Sequence, residues 1–155
     1  MITCNPEGDL AKQTAELQSY RFLMPPEAED QSLAMTGSFS SMLLAVLLMG
    51  RLDELPSLEK AVQQFAERGR ALLNEHVESL KKFAELDFTR AVFLGSGPRL
   101  GIARESHLKL QELTDGHVVC KYDSFLGFRH GPKAVIDDQT LIVYLFSEDP
   151  VRIAV

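Results

Sequence analysis

The fold is decided by residues 91–133, which run AVFLGSGPRLGIARESHLKLQELTDGHVVCKYDSFLGFRHGPK. The apolar run at 91–94 predicts a buried strand, and it stops at the turn 95–98, which bulky residues could not easily make. A helical pattern with apolar residues near one side follows and ends before residues 115–116, where glycine can supply a left-handed cap. The β-rich run 117–122 predicts a second strand. The order strand, glycine turn, helix and strand predicts one βαβ unit of a parallel α/β sheet.

Long helices are predicted before this unit, and one more strand is predicted after it. Asp30 or Ser32 is expected to cap a helix to about Arg51, which is apolar over much of its circumference. A helix this apolar is expected to be buried between layers or in an oligomer interface. The unbroken apolar run 141–146 predicts a central parallel strand. The other predicted elements are a strand at 1–4, a helix from Asp9 to Leu17, a strand at 18–23 and a helix at 57–83.

Composition predicts an ordinary soluble protein of the cytoplasm. The 155 residues are 45% apolar and 25% charged, with a formal net charge of −6. Lys and Arg form no basic stripe, which argues against a nucleic-acid partner. The longest apolar run, 42–49, is too short for a membrane span, which needs about 20 residues. Cys4 and Cys120 lack metal-ligand spacing and are expected to be free thiols, and no basic signal region follows Met1.

Three charged residues of the helix after the glycine turn are candidates for chemistry. Glu105, Lys109 and Glu112 fall at i, i+4 and i+7, so they share one face of that helix. Spacing alone favours a solvated row of salt bridges, because such rows are common. The alternative is a general base, Glu112, whose local charge is set by Lys109.

His130 is a second candidate, because Gly131 and Pro132 follow it and fix a tight turn. Such a turn could aim the imidazole into a cleft, or the ring could hydrogen-bond its own loop, and spacing leaves both open. The other histidines have no companion at ligand spacing, so neither a metal site nor a metal cofactor is expected.

Ser96 and Gly97 lie where backbone N–H groups could meet an anion at a helix N-terminus. The next glycine is Gly101, which gives GxGxxxG in place of the GxGxxG of dinucleotide sites. A nicotinamide cofactor is therefore not predicted, and a turn that simply needs flexible residues explains the pattern at least as well.

The segment FLGSGPRLGIARESHLKLQELT, together with YDSFLGFRHGPKAVIDDQTLIVYLFSEDP, resembles the sugar isomerase (SIS) domain family. The similarity is greatest to the bacterial galactosamine-6-phosphate deaminase/isomerase group, also called tagatose-6-phosphate ketose/aldose isomerases. ITCNPEGDLA resembles the last strand and turn of a first SIS domain, and AMTGSFSSMLLAVLL the helix leading into the second. The resemblance implies a flavodoxin-like three-layer α-β-α fold with a parallel sheet, truncated at both ends and preceded by long helices. It divides the chain into a remnant first SIS domain (1–26), linking helices (27–85) and a partial second SIS domain (86–155).

The resemblance also implies roles for the candidate residues. Glu112 matches the glutamate of the KLxE motif, which moves a proton between sugar C1 and C2. His130 matches the histidine of the HGP turn, which opens the pyranose ring. Lys109 matches the motif lysine, and Glu105 matches an acidic position one turn earlier. The implied ligand is a hexose or hexosamine 6-phosphate, the implied assembly a homo-oligomer or a complex with a partner SIS chain, and for an amino sugar the 2-amino group would leave as ammonia.

One departure from the family keeps three hypotheses open. The family's serine-rich phosphate loop, of the type SxSGxS, does not occur in these 155 residues. A phosphate held by several hydroxyls and N–H groups supplies much of the binding energy of a small sugar, so weak binding and poor turnover are expected. The chain is then an isomerase or deaminase, a non-catalytic phosphosugar-binding module, or an oligomerisation piece whose helix 32–51 docks onto a full-length relative.

Overall fold

The computed structural model describes residues 1–14 and 19–147, and the chain divides into two units, Met1–Glu78 and Ser79–Val155. The predicted helix end at Leu17, the predicted strand start at Gln18 and the tail from residue 148 lie outside the described residues. No helix within the described ranges has the length and apolar character needed to cross a membrane.

The first unit contains two short strands and a series of helices. Strands β1 (Ile2–Thr3) and β2 (Phe22–Leu23) pair in parallel, with Ile2 opposite Phe22. Helix α1 spans Asp9–Gln13, so it begins at Asp9 as predicted, and Gly8 is its N-cap residue. Helix α2 spans Gly37–Met49 and α3 spans Leu55–Glu75, each preceded by a 3₁₀ turn, at Pro26–Ala28 and Leu52–Glu54.

Helix α2 begins at Gly37 after the N-cap residue Thr36, so neither Asp30 nor Ser32 is its N-cap residue, but the Asp30 side chain supplies the capping hydrogen bonds. The chain between Asp30 and Gly37 loops back, and Asp30 Oδ1 accepts a hydrogen bond of 2.9 Å from the Gly37 amide. Asp30 Oδ2 accepts from both the amide and the hydroxyl of Ser38, at 2.8 and 2.7 Å. These bonds satisfy donors at a helix N-terminus, where intrahelical partners are absent, and they hold the pKa of Asp30 well below its usual range.

The predicted helix at 57–83 is two helices. α3 ends at Glu75, His76 interrupts the helix, and α4 continues over Val77–Ala84, across the boundary between the two units. The periodic leucines alone could not show this break, because no proline or glycine marks it.

The second unit is built on a parallel sheet with strand order β4-β3-β5. Strand β3 spans Arg90–Gly95, β4 spans Val119–Asp123 and β5 spans Thr140–Leu145. The predicted βαβ unit is thus confirmed. The prediction that the strand at 141–146 is central was wrong among the described residues, because β3 is the central strand and β5 lies at an edge.

The connection from β3 to β4 and the connection from β4 to β5 run in opposite directions across the sheet. Because crossovers between parallel strands are right-handed, the helices of these two connections lie on opposite faces of the sheet. Helix α5 (Pro98–Leu113) lies on the face that carries Cys120 and Tyr122, where the Cys120 amide donates to Gln111 Oε1 at 3.1 Å. Helix α6 (Phe125–Arg129) and the 3₁₀ turn Pro132–Val135 lie on the other face, where Phe128 packs with Val92 and Leu94. The arrangement is a three-layer α/β fold, as predicted.

Glycines set the turn from β3 into α5. A Cβ on Gly95 would lie 2.4 Å from the carbonyl oxygen of Arg99, closer than real Cβ atoms approach backbone. Gly97 has φ 57°, in the left-handed region that favours glycine. The stretch Gly95-Ser96-Gly97 is therefore required for close strand–helix packing, whatever else it does.

Candidate functional site

The charged row predicted on α5 is present and its members contact one another. Lys109 Nζ donates a hydrogen bond to Glu112 Oε2 at 2.9 Å and lies 3.5 Å from Glu105 Oε1. The three side chains are 25% (Glu105), 19% (Lys109) and 32% (Glu112) exposed, so they are more sheltered than a fully solvated surface row. A partly desolvated carboxylate next to a cation is a chemically competent arrangement for proton transfer.

The electrostatics of the row keep Lys109 charged. The hydrogen bond to Glu112 raises the pKa of Lys109 above its usual value, burial opposes this rise, and the charges of Glu112 and Glu105 add to it. Lys109 therefore remains an ammonium ion at neutral pH and serves as a donor and a positive charge. Glu112 has a second carboxylate oxygen besides the one bonded to Lys109, and that oxygen can accept a substrate proton.

Ser96 and Gly97 lie away from this row. Gly97 is the N-cap of α5 and Glu112 is in its last turn, so the rise along the helix separates them by about 22 Å. Ser96 and Gly97 follow the carboxyl end of β3, whereas the neighbour of Glu112, Gln111, bonds to Cys120 near the start of β4. The structure thus groups Glu105, Lys109 and Glu112 but does not bring Ser96 and Gly97 to them.

His130 is exposed at the end of α6, on the opposite face of the sheet from α5. Its backbone amide donates to the Gly127 carbonyl at 3.3 Å, and the following Gly131 has φ 155°, a conformation that L side chains rarely adopt. The tight turn expected from the sequence is therefore present. His130 thus follows a helix on one face of the sheet, whereas Glu112 belongs to α5 on the other face.

Two polar features that sequence patterns did not single out lie close to these residues. On α5, the ring of His107 lies 4.7 Å from that of Tyr122, and the Arg104 guanidinium lies 6.0 Å from the Tyr122 ring. After β4, Ser124 caps α6 by accepting from the Gly127 amide at 3.0 Å. The i, i+3 spacing of Arg104 and His107 could have indicated the first cluster, but its tyrosine partner comes from another element.

No group of three or more His, Cys, Asp or Glu side chains that could hold a metal ion occurs in residues 1–14 and 19–147. Cys4 and Cys120 are free thiols, and burial raises the pKa of Cys120. Cys120 is therefore a poor nucleophile at neutral pH, and the Glu–Lys–Glu row is the stronger candidate for chemistry.

Comparisons with known proteins point to one group of sugar-phosphate proteins. No protein-family model matches the chain. A D-galactosamine-6-phosphate deaminase of Shewanella sp. (strain ANA-3) is 41% identical over 150 residues, which are 96% of this chain and 38% of that protein. A glutamine–fructose-6-phosphate aminotransferase (isomerizing) of Escherichia coli K12 is 30% identical over 154 residues, which cover 92% of this chain and 24% of that enzyme.

Solved structures agree in fold. A provisionally named tagatose-6-phosphate ketose/aldose isomerase of Clostridium novyi NT superposes with a TM-score of 0.89 at 47% identity, covering 97% of this chain and 39% of that one. The tagatose-6-phosphate ketose/aldose isomerase of Escherichia coli superposes with a TM-score of 0.83 at 38% identity, covering 99% of this chain and 41% of that one. The chain therefore spans about two fifths of the length of these relatives.

Proposed function

We infer that this chain, which matches about two fifths of the length of galactosamine-6-phosphate deaminase and tagatose-6-phosphate isomerase relatives of the SIS type, binds a hexosamine or ketohexose 6-phosphate and moves a proton between C1 and C2 of the sugar. The observation that carries this proposal is the partly buried row Glu105–Lys109–Glu112. It combines a carboxylate base with a fixed cation in a chain that matches sugar-phosphate isomerases over 97% of its residues.

The proposed chemistry assigns a task to each member of the row. Glu112 takes the proton from the carbon next to the carbonyl of the open sugar and returns it to the neighbouring carbon. The oxygen of that carbonyl gains negative charge as the proton leaves, and the Lys109 ammonium is the nearby group that can stabilise it. Glu105 shares the Lys109 ammonium from the preceding turn and so holds it on the Glu112 side of the helix. With an amino sugar, the rearranged product carries an imine at C2, which water hydrolyses to a ketone and ammonia.

His130 is proposed to open the sugar ring, and its position makes that proposal depend on assembly. His130 follows α6 and Glu112 belongs to α5, and these two helices lie on opposite faces of the sheet. We propose that a second copy or a partner SIS chain supplies the other residue, which requires a homo-oligomer or a complex. Ser96 and Gly97 are proposed contacts for the phosphate of a sugar whose base comes from another chain, because about 22 Å along α5 separates Gly97 from Glu112 of the same copy, more than a hexose 6-phosphate spans.

The second candidate function is a non-catalytic phosphosugar-binding or oligomerisation module. It is favoured by the absence of a SxSGxS-type loop from these 155 residues. The domain assignment proposed with either function is a remnant first SIS domain at 1–26, linking helices at 27–85 and a partial second SIS domain at 86–155. A cytoplasmic location is proposed from the sugar-phosphate chemistry of the relatives.

Deuterium wash-in distinguishes the two candidates. The purified chain is incubated in D₂O with galactosamine 6-phosphate or tagatose 6-phosphate, and the sugar C1 and C2 protons are followed by NMR. The enzyme proposal predicts exchange that Glu112→Gln abolishes, while Glu67→Gln, an exposed α3 carboxylate remote from the row in sequence, leaves it unchanged. A folded wild-type chain that binds either sugar without exchanging its protons would establish the module instead.

A further inference from the structure

The last turn of α5 is tied to strand β4 by the side chain of Gln111. Gln111 Oε1 accepts a hydrogen bond of 3.1 Å from the Cys120 amide. The preceding amide of the strand, that of Val119, donates instead to the Thr89 carbonyl on the β3 side. Because successive residues of a strand direct their backbone groups to opposite sides, the Cys120 amide lies on the side of β4 away from β3. Gln111 therefore satisfies a donor at the edge of the described sheet.

Gln111 also anchors the same turn through its backbone. Its carbonyl accepts a hydrogen bond of 2.9 Å from the Gly116 amide, and Gly116 has φ 76°, in the left-handed region that favours glycine. Both hydrogen bonds join Gln111 to residues that follow the helix. One residue thus fixes the end of α5 to the segment that leads into β4 and to β4 itself.

Glu112 lies in this tied turn, next to Gln111. Helix α5 ends at Leu113, so Glu112 is its second-last residue. The last carbonyls of a helix have no intrahelical partners, and helix ends fray unless other groups hold them. Lys109 bonds to Glu112 but belongs to the same helix, so that bond does not fix the carboxylate relative to the sheet. The bond from Gln111 to β4 does fix it.

We propose that Gln111 is a positioning residue for Glu112, an inference that rests on the proposed role of Glu112 as the base. Proton transfer requires the carboxylate oxygen and the C–H group to be held in a near-attack geometry, and a displacement of about 1 Å can cost about a hundredfold in rate. By tying the last turn of α5 to β4, Gln111 restricts the Glu112 carboxylate to one position. The side-chain oxygen of Gln111 is engaged by the Cys120 amide, so Gln111 acts through Glu112 and not on the sugar.

The alternative role of Gln111 is to cover the edge of β4. An unpaired N–H group at a strand edge is a template for pairing with another chain, and natural proteins block such edges. That role predicts a loss of stability or solubility on substitution, with no change in the proton-transfer step. The two roles therefore differ in what they predict for the maximal rate of sugar-proton exchange.

The test compares two substitutions of Gln111 that differ in their ability to accept a hydrogen bond. Gln111→Met has a similar length but only a weak thioether acceptor, whereas Gln111→Glu keeps an oxygen that can accept from the Cys120 amide. Deuterium wash-in is measured over a range of tagatose 6-phosphate concentrations, which separates the maximal rate from KM. Gln111→Met should lower the maximal rate by about tenfold and change KM by less than about twofold, because the displaced carboxylate affects proton transfer more than binding. Gln111→Glu should restore the maximal rate to within about twofold of wild type.

Thr140→Ala is the control for a general loss of stability. The Thr140 hydroxyl donates to Asp137 Oδ1 at 2.6 Å and accepts from the Asp137 amide at 3.0 Å. Thr140 begins β5, and β3 lies between β5 and the strand that Gln111 contacts. The substitution therefore removes exposed hydrogen bonds of the same general strength while leaving the end of α5 intact. Its maximal rate and KM should stay within about twofold of wild type.

Amide exchange of Cys120 with solvent reports the tie itself. The Cys120 amide should exchange faster in Gln111→Met than in wild type, and at the wild-type rate in Gln111→Glu. The proposal is overturned if Gln111→Met keeps the wild-type maximal rate, if Gln111→Glu fails to restore it, or if Thr140→Ala loses it equally. A wild-type chain that exchanges no sugar proton refutes the proposed activity and this role of Gln111 together. Normal sugar-proton exchange by both wild type and Gln111→Met refutes the positioning role alone.

Discussion

Replacing Gly95 by alanine tests the geometry on which the second unit depends. The added Cβ would lie 2.4 Å from the Arg99 carbonyl oxygen and 2.7 Å from its carbonyl carbon, whereas ordinary contact begins at 3.4 Å. The obstructing atoms belong to the backbone of α5, so no side chain can rotate aside. The end of β3 and the first turn of α5 must instead separate by about 1 Å, and overpacking of this kind costs about 1–3 kcal/mol. Because only backbone atoms can move aside, we expect the free energy of unfolding to fall by about 3 kcal/mol, near the upper end of that range.

Gly101→Ala is the matched control within the same helix. A Cβ at Gly101 meets nothing within 4 Å, and Gly101 is exposed in the interior of α5. Alanine there should raise the free energy of unfolding by about 1 kcal/mol through its greater helix propensity. Both variants are compared with wild type by urea denaturation followed by circular dichroism. A Gly95→Ala chain within about 0.5 kcal/mol of wild type, with an unchanged m-value, would refute the close packing of β3 on α5.

Two further predictions concern titratable groups outside the proposed site. Asp30→Asn should lower the melting temperature at pH 7, and the difference in melting temperature from wild type should shrink as pH falls below about 4. The reason is that a carboxyl group whose pKa is lower in the native state stabilises the fold above its unfolded-state pKa, and this stabilisation is lost in acid. A difference in melting temperature that stays constant from pH 7 to pH 2 would contradict the charged cap. Cys120, whose pKa is raised by burial, should react with iodoacetamide at pH 8 more slowly in the native chain than in urea; equal rates would show that the thiol is not sheltered.

The βαβ unit was predictable from sequence because local signals agreed there. The apolar run before Gly95, the glycine turn and the helical period through Leu110 each indicate the same element boundaries. The charged row was predictable for a similar reason, since i, i+4 and i+7 spacing places Glu105, Lys109 and Glu112 on one face of any helix.

What the sequence could not show depended on contacts between distant residues. The apolar character of residues 141–146 indicated a central strand, but strand order depends on which neighbours are present, and β5 lies at an edge among the described strands. Asp30 caps α2 across seven residues, a separation outside the usual capping patterns. His130 and Glu112 lie only 18 positions apart in the sequence. Glu112 belongs to the connection from β3 to β4, whereas His130 belongs to the connection from β4 across β3 to β5, and these two connections lie on opposite faces of the sheet.

The proposed sharing of the site between chains is tested most directly by complementation. Glu112→Gln and His130→Ala chains are prepared separately, mixed, and assayed for deuterium wash-in with galactosamine 6-phosphate, alongside wild type and each variant alone. Each variant alone should lack exchange, and the mixture should regain it, because a mixed assembly can place an intact Glu112 from one chain beside an intact His130 from another. If wild type exchanges but the mixture stays inactive under conditions where subunits mix, Glu112 and His130 of different chains do not act on one sugar.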